Sequence, residues 1–420
     1  MKKWQSGFIG FLALVMLTIN IPASAEVNVQ GNDLSTALKA AVRLNPSAKS
    51  KIAELKSLGY KLDEAEAARL PSFSISAQSM YNNDDNYGLM RGQMPLYSFG
   101  KISGNIKVAE KGLDIGKLSL LQVQRQLIED TAAAYNSHWG IKQRVAIAEA
   151  NVAEHDRLYQ MISRRQQGGV ASAADVRLAL SRLLQAQAQL DQVRGAAEKA
   201  HNELEALTQL TISADTPIDQ ALAESPAGED PVKKAQAIDA RVKVRVAELE
   251  LTKKVAVLRQ AERMPTLYVR YDRYINPKYD YSSDGEVGLV LEGSLDGLGI
   301  IGQKRAAAAQ AQIAVAEEHL EDTPNEIKRK VTNLVTERGI QGNIVASYER
   351  STEEMEETLK SIIRQFDAGR KSWIDVLNFQ RELTDMRHQL VQAKTNWLEV
   401  SLRLAAINGR LDAAAEVKEP

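Results

Sequence analysis

The 420-residue chain has no cysteine, which excludes disulfide staples, thiolate metal sites, cysteine nucleophiles and an acylated N-terminal cysteine anchor. It also lacks a charge of one sign: 53 basic residues face 54 acidic ones, leaving no bulk attraction to nucleic acid or acidic lipid. Beyond the N-terminus no apolar run approaches the roughly 20 residues a transmembrane helix needs, so a membrane-spanning role falls to β-strands. Catalytic chemistry is missing as well. The five histidines are scattered, and no serine–histidine–acid set, paired-carboxylate site or metal-ligand cluster can be assembled, so the chain reads as a non-enzyme without cofactor or metal.

Two motifs imitate chemistry. Gly297, Gly299 and Gly302 spell G-x-G-x-x-G, but a dinucleotide fold needs a buried apolar strand and a second parallel strand about 30 residues later. Here the preceding strand alternates and the following helix is far too long. Glu198 and His201 have the carboxylate–histidine spacing of di-iron bundles, yet no second such pair exists, which leaves them as polar residues on a helix surface.

Residues 1–25 carry the marks of a cleaved signal peptide. Lys2 and Lys3 form a basic start, a short apolar run follows, and Ala23-Ser24-Ala25 gives a small-x-small cleavage site. The mature chain is therefore expected outside the cytoplasm.

The dominant feature is an internal repeat. Gly169-x-x-Ser172-x-x-Asp175-Val176 recurs as Gly369-x-x-Ser372-x-x-Asp375-Val376, offset by 200 positions, and Leu183, Gln189 and Leu190 recur as Leu383, Gln389 and Leu390. Half the chain is duplicated. The expected organisation is a first repeat over 26–210, a linker over 211–231 rich in Pro, Gly and acids, a second repeat over 232–412 and a tail over 413–420. Each repeat holds an opening helical stretch, a β-hairpin (72–97 and 266–295), a very long helix (101–167 and 302–367) and a long helix (173–210 and 373–411).

Heptad rows mark the helices as coiled-coil rods. Val176, Leu183, Leu190, Ala197 and Leu204 alternate with Ala179, Ala186, Val193, Ala200 and Leu207, and the second copy repeats the pattern from Val376 and Phe379. About 65 helical residues reach roughly 100 Å, several times the width of a compact domain. Pro324 interrupts the second long helix, but the heptad row keeps phase across it, so a kink is expected, with Thr323 or Asp322 serving the freed backbone groups.

Four strands of about ten residues alternate apolar and polar side chains, as Phe73, Ile75 and Ala77 do against Ser72, Ser74 and Ser76, which is the length and dress of outer-membrane strands. Their tips, 82–86 and 276–285, are polar. Four strands leave two open edges, and unpaired backbone in lipid costs several kcal/mol per group. Closure then needs more copies: two give 8 strands, too narrow for an open lumen, and three give 12.

The order and duplication of these features, with 34–41 followed by Asn45-Pro46 and the junction Pro95-Leu96-Tyr97-Ser98-Phe99-Gly100, resemble the TolC / outer-membrane efflux protein family over essentially the whole mature chain. The resemblance implies a mixed fold, in which a long α-helical coiled-coil tunnel continues from a trimeric 12-stranded transmembrane β-barrel to which each chain contributes four strands. It implies an outer-membrane export duct, for efflux or type I secretion, that works as a homotrimer with a periplasmic adaptor (membrane fusion) protein and an inner-membrane transporter of the ABC or RND class.

The same resemblance implies a periplasmic entrance beside the turns at Gly169 and Gly369. Asp375 falls on an acidic ring position, Asn378 stands where a second acid is expected, Asp175 and Lys371 fall where an acid and a base tie the entrance shut, and Phe366 replaces a usual tyrosine. The missing lipoprotein cysteine points toward the non-acylated branch. The competing reading is a structural periplasmic coiled-coil adaptor, but an adaptor carries one hairpin between soluble β-domains, whereas this chain has two hairpins and about 40 strand residues.

Overall fold

The computed structural model describes residues 31–80, 83–223, 230–275, 285–294 and 296–419. The signal sequence expected at 1–25 and nearly all of the second hairpin tip lie outside these residues. The described chain is built of very long helices and a single four-stranded antiparallel sheet.

Two short helices open it, α1 (Leu34–Leu44) and α2 (Pro46–Ala67), followed by the strands β1 (Ser72–Met80) and β2 (Asn83–Tyr97). The rods α3 (Lys101–Gln167) and α4 (Ala173–Thr208) come next, then one turn of helix, α5 (Gln220–Ala223). The second half runs through α6 (Pro231–Ile238), α7 (Ala240–Ala261), β3 (Thr266–Ile275), β4 (Glu286–Glu292), α8 (Ile300–Asp367) and α9 (Trp373–Ile407).

Local chemistry sets most boundaries. Asn45 ends α1 and caps α2, its side chain accepting from Ser47 N–H at 2.9 Å while Pro46 takes the first helical position. The opening stretch is therefore two helices, not one. Asp239 repeats the break between α6 and α7 by accepting from Arg241 N–H. The two longest rods, α3 and α8, start from glycines in left-handed backbone, Gly100 (φ 91°) and Gly299 (φ 83°). Gly297 and Leu298 of the G-x-G-x-x-G run also have positive φ, so its glycines serve a tight strand-to-helix junction. The tail end of α9 falls at Ile407, short of the expected 411, because Gly409 (φ 66°) closes the helix with Arg410 N–H donating to the Ala405 carbonyl. Likewise α4 stops at Thr208, before Gln209 in left-handed backbone, and β4 ends at Glu292.

Pro324 is accommodated inside an unbroken α8. The Thr323 hydroxyl donates to the His319 carbonyl at 2.8 Å, the Asn325 amide to Glu321, and Gln236 reaches across from α6 to the Pro324 carbonyl at 2.9 Å. Thr323 plays the supporting part expected of it; Asn325, rather than Asp322, supplies the other side chain.

The coiled-coil seam buries the heptad positions of α4: Ala179, Leu183, Ala186, Leu190, Val193, Ala200 and Leu204. Small residues bring backbones close. Gly140 of α3 sits against Thr395 of α9, where an added Cβ would lie 2.3 Å from the hydroxyl oxygen. The largest core cluster lies midway along the rods and joins Leu38, Ile128, Tyr135, Leu204 and Leu402. It corrects two expectations. The segment 211–231 is more than a linker, since Ile212, Ala214 and Ile218 are buried in this cluster, the Tyr135 hydroxyl donates toward the Asn32 and Thr216 carbonyls, and Lys142 pairs with Asp215. The tail is no loose end either: Leu411 and Ala415 are buried, Asp412 accepts from Arg125 at 2.7 Å, and Glu416 binds Lys39 and Arg43.

The sheet is a meander in the order β1-β2-β3-β4. The tip of its first hairpin is tighter than expected, because β2 begins at Asn83 and Met80 pairs with Asn83. The register places Phe73 opposite Gly92, Gly92 opposite Tyr271 and Tyr271 opposite Val287, and on the other face Ser74, Arg91, Asp272 and Glu286. The apolar face is bare: Phe73 is 84%, Ile75 77%, Val287 72% and Leu289 70% exposed. No described helix is long and apolar enough to cross a membrane.

Candidate functional site

The two turns that join the rods share one construction. In the first, Gly169 takes φ 78°, its N–H bonds the Gln166 carbonyl, and Val170 N–H bonds Arg165. In the second, Gly369 takes φ 73°, and the same bonds run to Phe366 and Gln365. An L side chain is strained at such φ, which accounts for glycine at both places. Ser172 and Ser372 then cap α4 and α9 through reciprocal boxes: each serine hydroxyl oxygen accepts from the N–H of the aspartate three residues on, and that carboxylate accepts from the serine N–H.

These bonds place both carboxylates at helix N-termini and hold both below the usual carboxylate range. The Ser172 hydroxyl and then its N–H do so for Asp175, and the Ser372 N–H and then its hydroxyl for Asp375. The capping roles of Asp175 and Asp375 are thus visible in the geometry.

Among the positions where the copies differ, one joins the two turns. Trp373 stands where the first turn has Ala173, and its indole Nε1–H donates to Asp175 Oδ1 at 3.2 Å. Within the protomer the tie on Asp175 is therefore Trp373, not Lys371. Lys371 is exposed and lies close enough to Asp375 to favour its charged form. Phe366 is buried, and the Arg165 guanidinium lies over its ring with 4.6 Å to the centroid. The ring's face thus joins α8 to α3. Around these contacts Leu158, Ile162, Ala179, Leu359, Ile362, Val376 and Leu383 form one apolar cluster from all four rods, which packs the two hairpins together beside their turns.

Asn378 is exposed one turn beyond Asp375. It lines a polar cavity of about 200 Å³ between α3, α4 and α9, together with His155, His388, Arg182, Arg381 and Asp385. Burial pushes both imidazoles down from their ordinary range. The sequence offered no pattern that brings these histidines together, because they sit on different rods. The role of Trp373 had a faint signal, an indole in the second copy where the first has Ala173.

Among the described residues, no group of three or more His, Asp or Glu is placed to hold a metal ion. His201 leaves Glu198 aside and stacks edge-on against His138, centroids 5.2 Å apart. The end of the rods is basic on balance: Arg164, Arg165, Arg177, Arg364, Arg370 and Lys371 outnumber Asp175, Asp367 and Asp375.

The chain is similar to several solved structures over nearly its full length. The Campylobacter jejuni CmeC outer membrane channel aligns with TM-score 0.76 at 11% identity, covering 90% of this chain and 85% of that one. The Vibrio cholerae outer membrane protein VceC aligns with TM-score 0.72 at 16% identity, covering 90% and 96%. The Neisseria gonorrhoeae MtrE outer membrane channel, solved in its open state, gives 0.72 at 15%, covering 90% and 89%. No curated protein matches by sequence. The family model described as outer membrane efflux protein matches residues 37–209, the first of the two copies. With that match in one copy, the same turn construction in the other and the shared fold over both, the chain is similar to the outer membrane efflux proteins.

Proposed function

We propose that three copies of this chain close a 12-stranded barrel in the outer membrane and a helical tunnel beneath it, forming a passive duct that exports solutes from the cell. The observation that carries this reading is the four-stranded sheet, whose apolar face is bare and whose edges β1 and β4 have no partner strand among the described residues. A soluble subdomain would cover that face, whereas a barrel turns it to lipid and pairs β4 of one copy with β1 of the next. The bare face of α2, with Ile52 and Tyr60 exposed, and Ile300, Ile301 and Val315 exposed on α8, supply the helical counterpart of that junction.

In this reading the signal sequence at 1–25 is cleaved on export, and the repeats 26–210 and 232–412 occupy equivalent places around the tunnel. The turns form the periplasmic entrance. Threefold symmetry makes each Asp375 a ring of carboxylates, with Asn378 leaving the next ring uncharged, while Trp373 with Asp175 and Arg165 with Phe366 hold the two hairpins of a protomer together. An adaptor protein meets this end and couples it to an inner-membrane transporter that supplies the energy. The excess of arginine and lysine at the turns favours an adaptor surface that is acidic.

Cross-linking of detergent-extracted protein tests the assembly. A three-protomer species that conducts in planar bilayers is expected; a stable monomer, or release from membranes by salt without detergent, overturns the reading.

A further inference from the structure

The polar face of the sheet carries charges that closure alone does not require. Arg91 of β2 and Asp272 of β3 stand directly opposite each other, and the contact is a fork: Nε donates to Oδ1 at 2.8 Å and Nη2 to Oδ2 at 3.1 Å. One strand further on, Arg270 donates to Glu292 at 3.0 Å and to Gln93 at 3.2 Å. A cross-strand ion pair contributes only about 0.2–1 kcal/mol to a sheet, and serine, which β1 uses at Ser72, Ser74 and Ser76, suffices for a wetted wall. What the pairing does beyond holding strands is cancel the charge of each arginine across the strand boundary.

We propose that the Arg91–Asp272 pair is a charge-balancing belt that sets the ion preference of the barrel lumen, a second determinant of selectivity far from the helical turns. The proposal rests on the trimeric channel reading, in which the face bearing Phe73, Ile75, Val287 and Leu289 meets lipid, so that the face bearing Ser74, Arg91, Asp272 and Glu286 lines the lumen. Twelve strands about 4.8 Å apart and tilted about 40° make a backbone cylinder about 24 Å across. With a guanidinium reaching about 6 Å inward, every point of the lumen at that level lies within about one Debye length, ~10 Å at 0.1 M salt, of the belt. Three uncompensated arginines would be felt by each permeating ion. Paired, they present short dipoles whose fields cancel within a few ångströms, and Glu286, a further acid on this face, tips the balance toward cations.

The sign of the effect separates this role from a purely structural one. In planar bilayers under a KCl gradient, Asp272→Asn unmasks Arg91 and lowers the potassium-to-chloride permeability ratio, whereas Arg91→Gln unmasks Asp272 and raises it, each by about two-fold or more. The double variant returns close to the wild-type ratio. A structural pair would shift stability alike in both single variants and leave the ratio alone. Ser74, opposite Arg91 on β1, gives a route that leaves the pair intact: Ser74→Lys lowers the ratio and Ser74→Asp raises it. Conducting channels whose ratio is unmoved by the Ser74 variants, or moved in one direction by both members of the pair, overturn the belt. Failure of the wild-type protein to conduct at all overturns the channel reading instead.

Discussion

At the scale of single residues, Trp373 and Ala173 occupy the same place in the two turns, and the tryptophan brings an indole N–H onto Asp175. Trp373→Phe keeps the ring in its apolar cluster and removes that donor, a loss of about 1 kcal/mol for a neutral-to-charged hydrogen bond partly open to water. The expected result is a thermal midpoint lowered by only a few degrees, with higher conductance in planar bilayers as the hairpins loosen; unchanged conductance would assign Trp373 to packing alone. His138 offers a pH dependence. Burial, the nearby His201 and Lys142 lower its pKa to about 4. Because the folded value lies below the ordinary 6.5 or so, the unfolded chain takes up the proton first. Its share of stability is therefore intact above about pH 6.5 and is lost as pH falls from there toward 4. Thermal midpoints measured across that window should fall less steeply in His138→Gln than in the wild type.

At the scale of elements, close helix approach is the feature most exposed to test. An alanine Cβ at position 140 meets the Thr395 hydroxyl at 2.3 Å and its methyl at 2.9 Å, so Gly140→Ala must push α3 and α9 apart, at about 1–3 kcal/mol. Gly195, on the same hairpin with nothing near its Cβ position, is the control: Gly195→Ala should stabilise by up to about 1 kcal/mol through helix propensity. Denaturant midpoints that move in opposite directions for these two variants would establish the seam. The turns themselves were legible in the recurring Gly169 and Gly369, whereas the serine–aspartate boxes that follow them emerged with the structure. Breaks at Asn45 and Asp239 follow the same capping chemistry, yet they interrupt stretches whose apolar pattern reads as continuous.

At the scale of the whole molecule, the sheet separates water from lipid as its surroundings. Leu289 is largely exposed in the protomer, so a soluble protein would tolerate Leu289→Arg almost without cost. On a lipid-facing strand near the bilayer middle the same change costs about 2–4 kcal/mol. Loss of the variant from the outer-membrane fraction, with the helical content of any recovered protein retained, is the expected outcome; normal insertion and trimer yield would place this face elsewhere. The net charge near zero leaves the sign of the surface to be set locally, as at the basic end of the rods.

The sequence by itself determined the duplicated plan, the rod lengths, the alternating strands and the glycine turns at Gly169 and Gly369, since each is written in residue periodicity or in a few neighbouring positions. Tertiary structure alone decided which distant groups meet. Asp175 finds Trp373 at a separation of 198 residues, Arg91 finds Asp272 across a strand boundary, and Ile212 with Ile218 turns an apparent linker into part of the core. Such partners depend on the register between rods and strands, which summed packing over many side chains fixes and which no local pattern encodes.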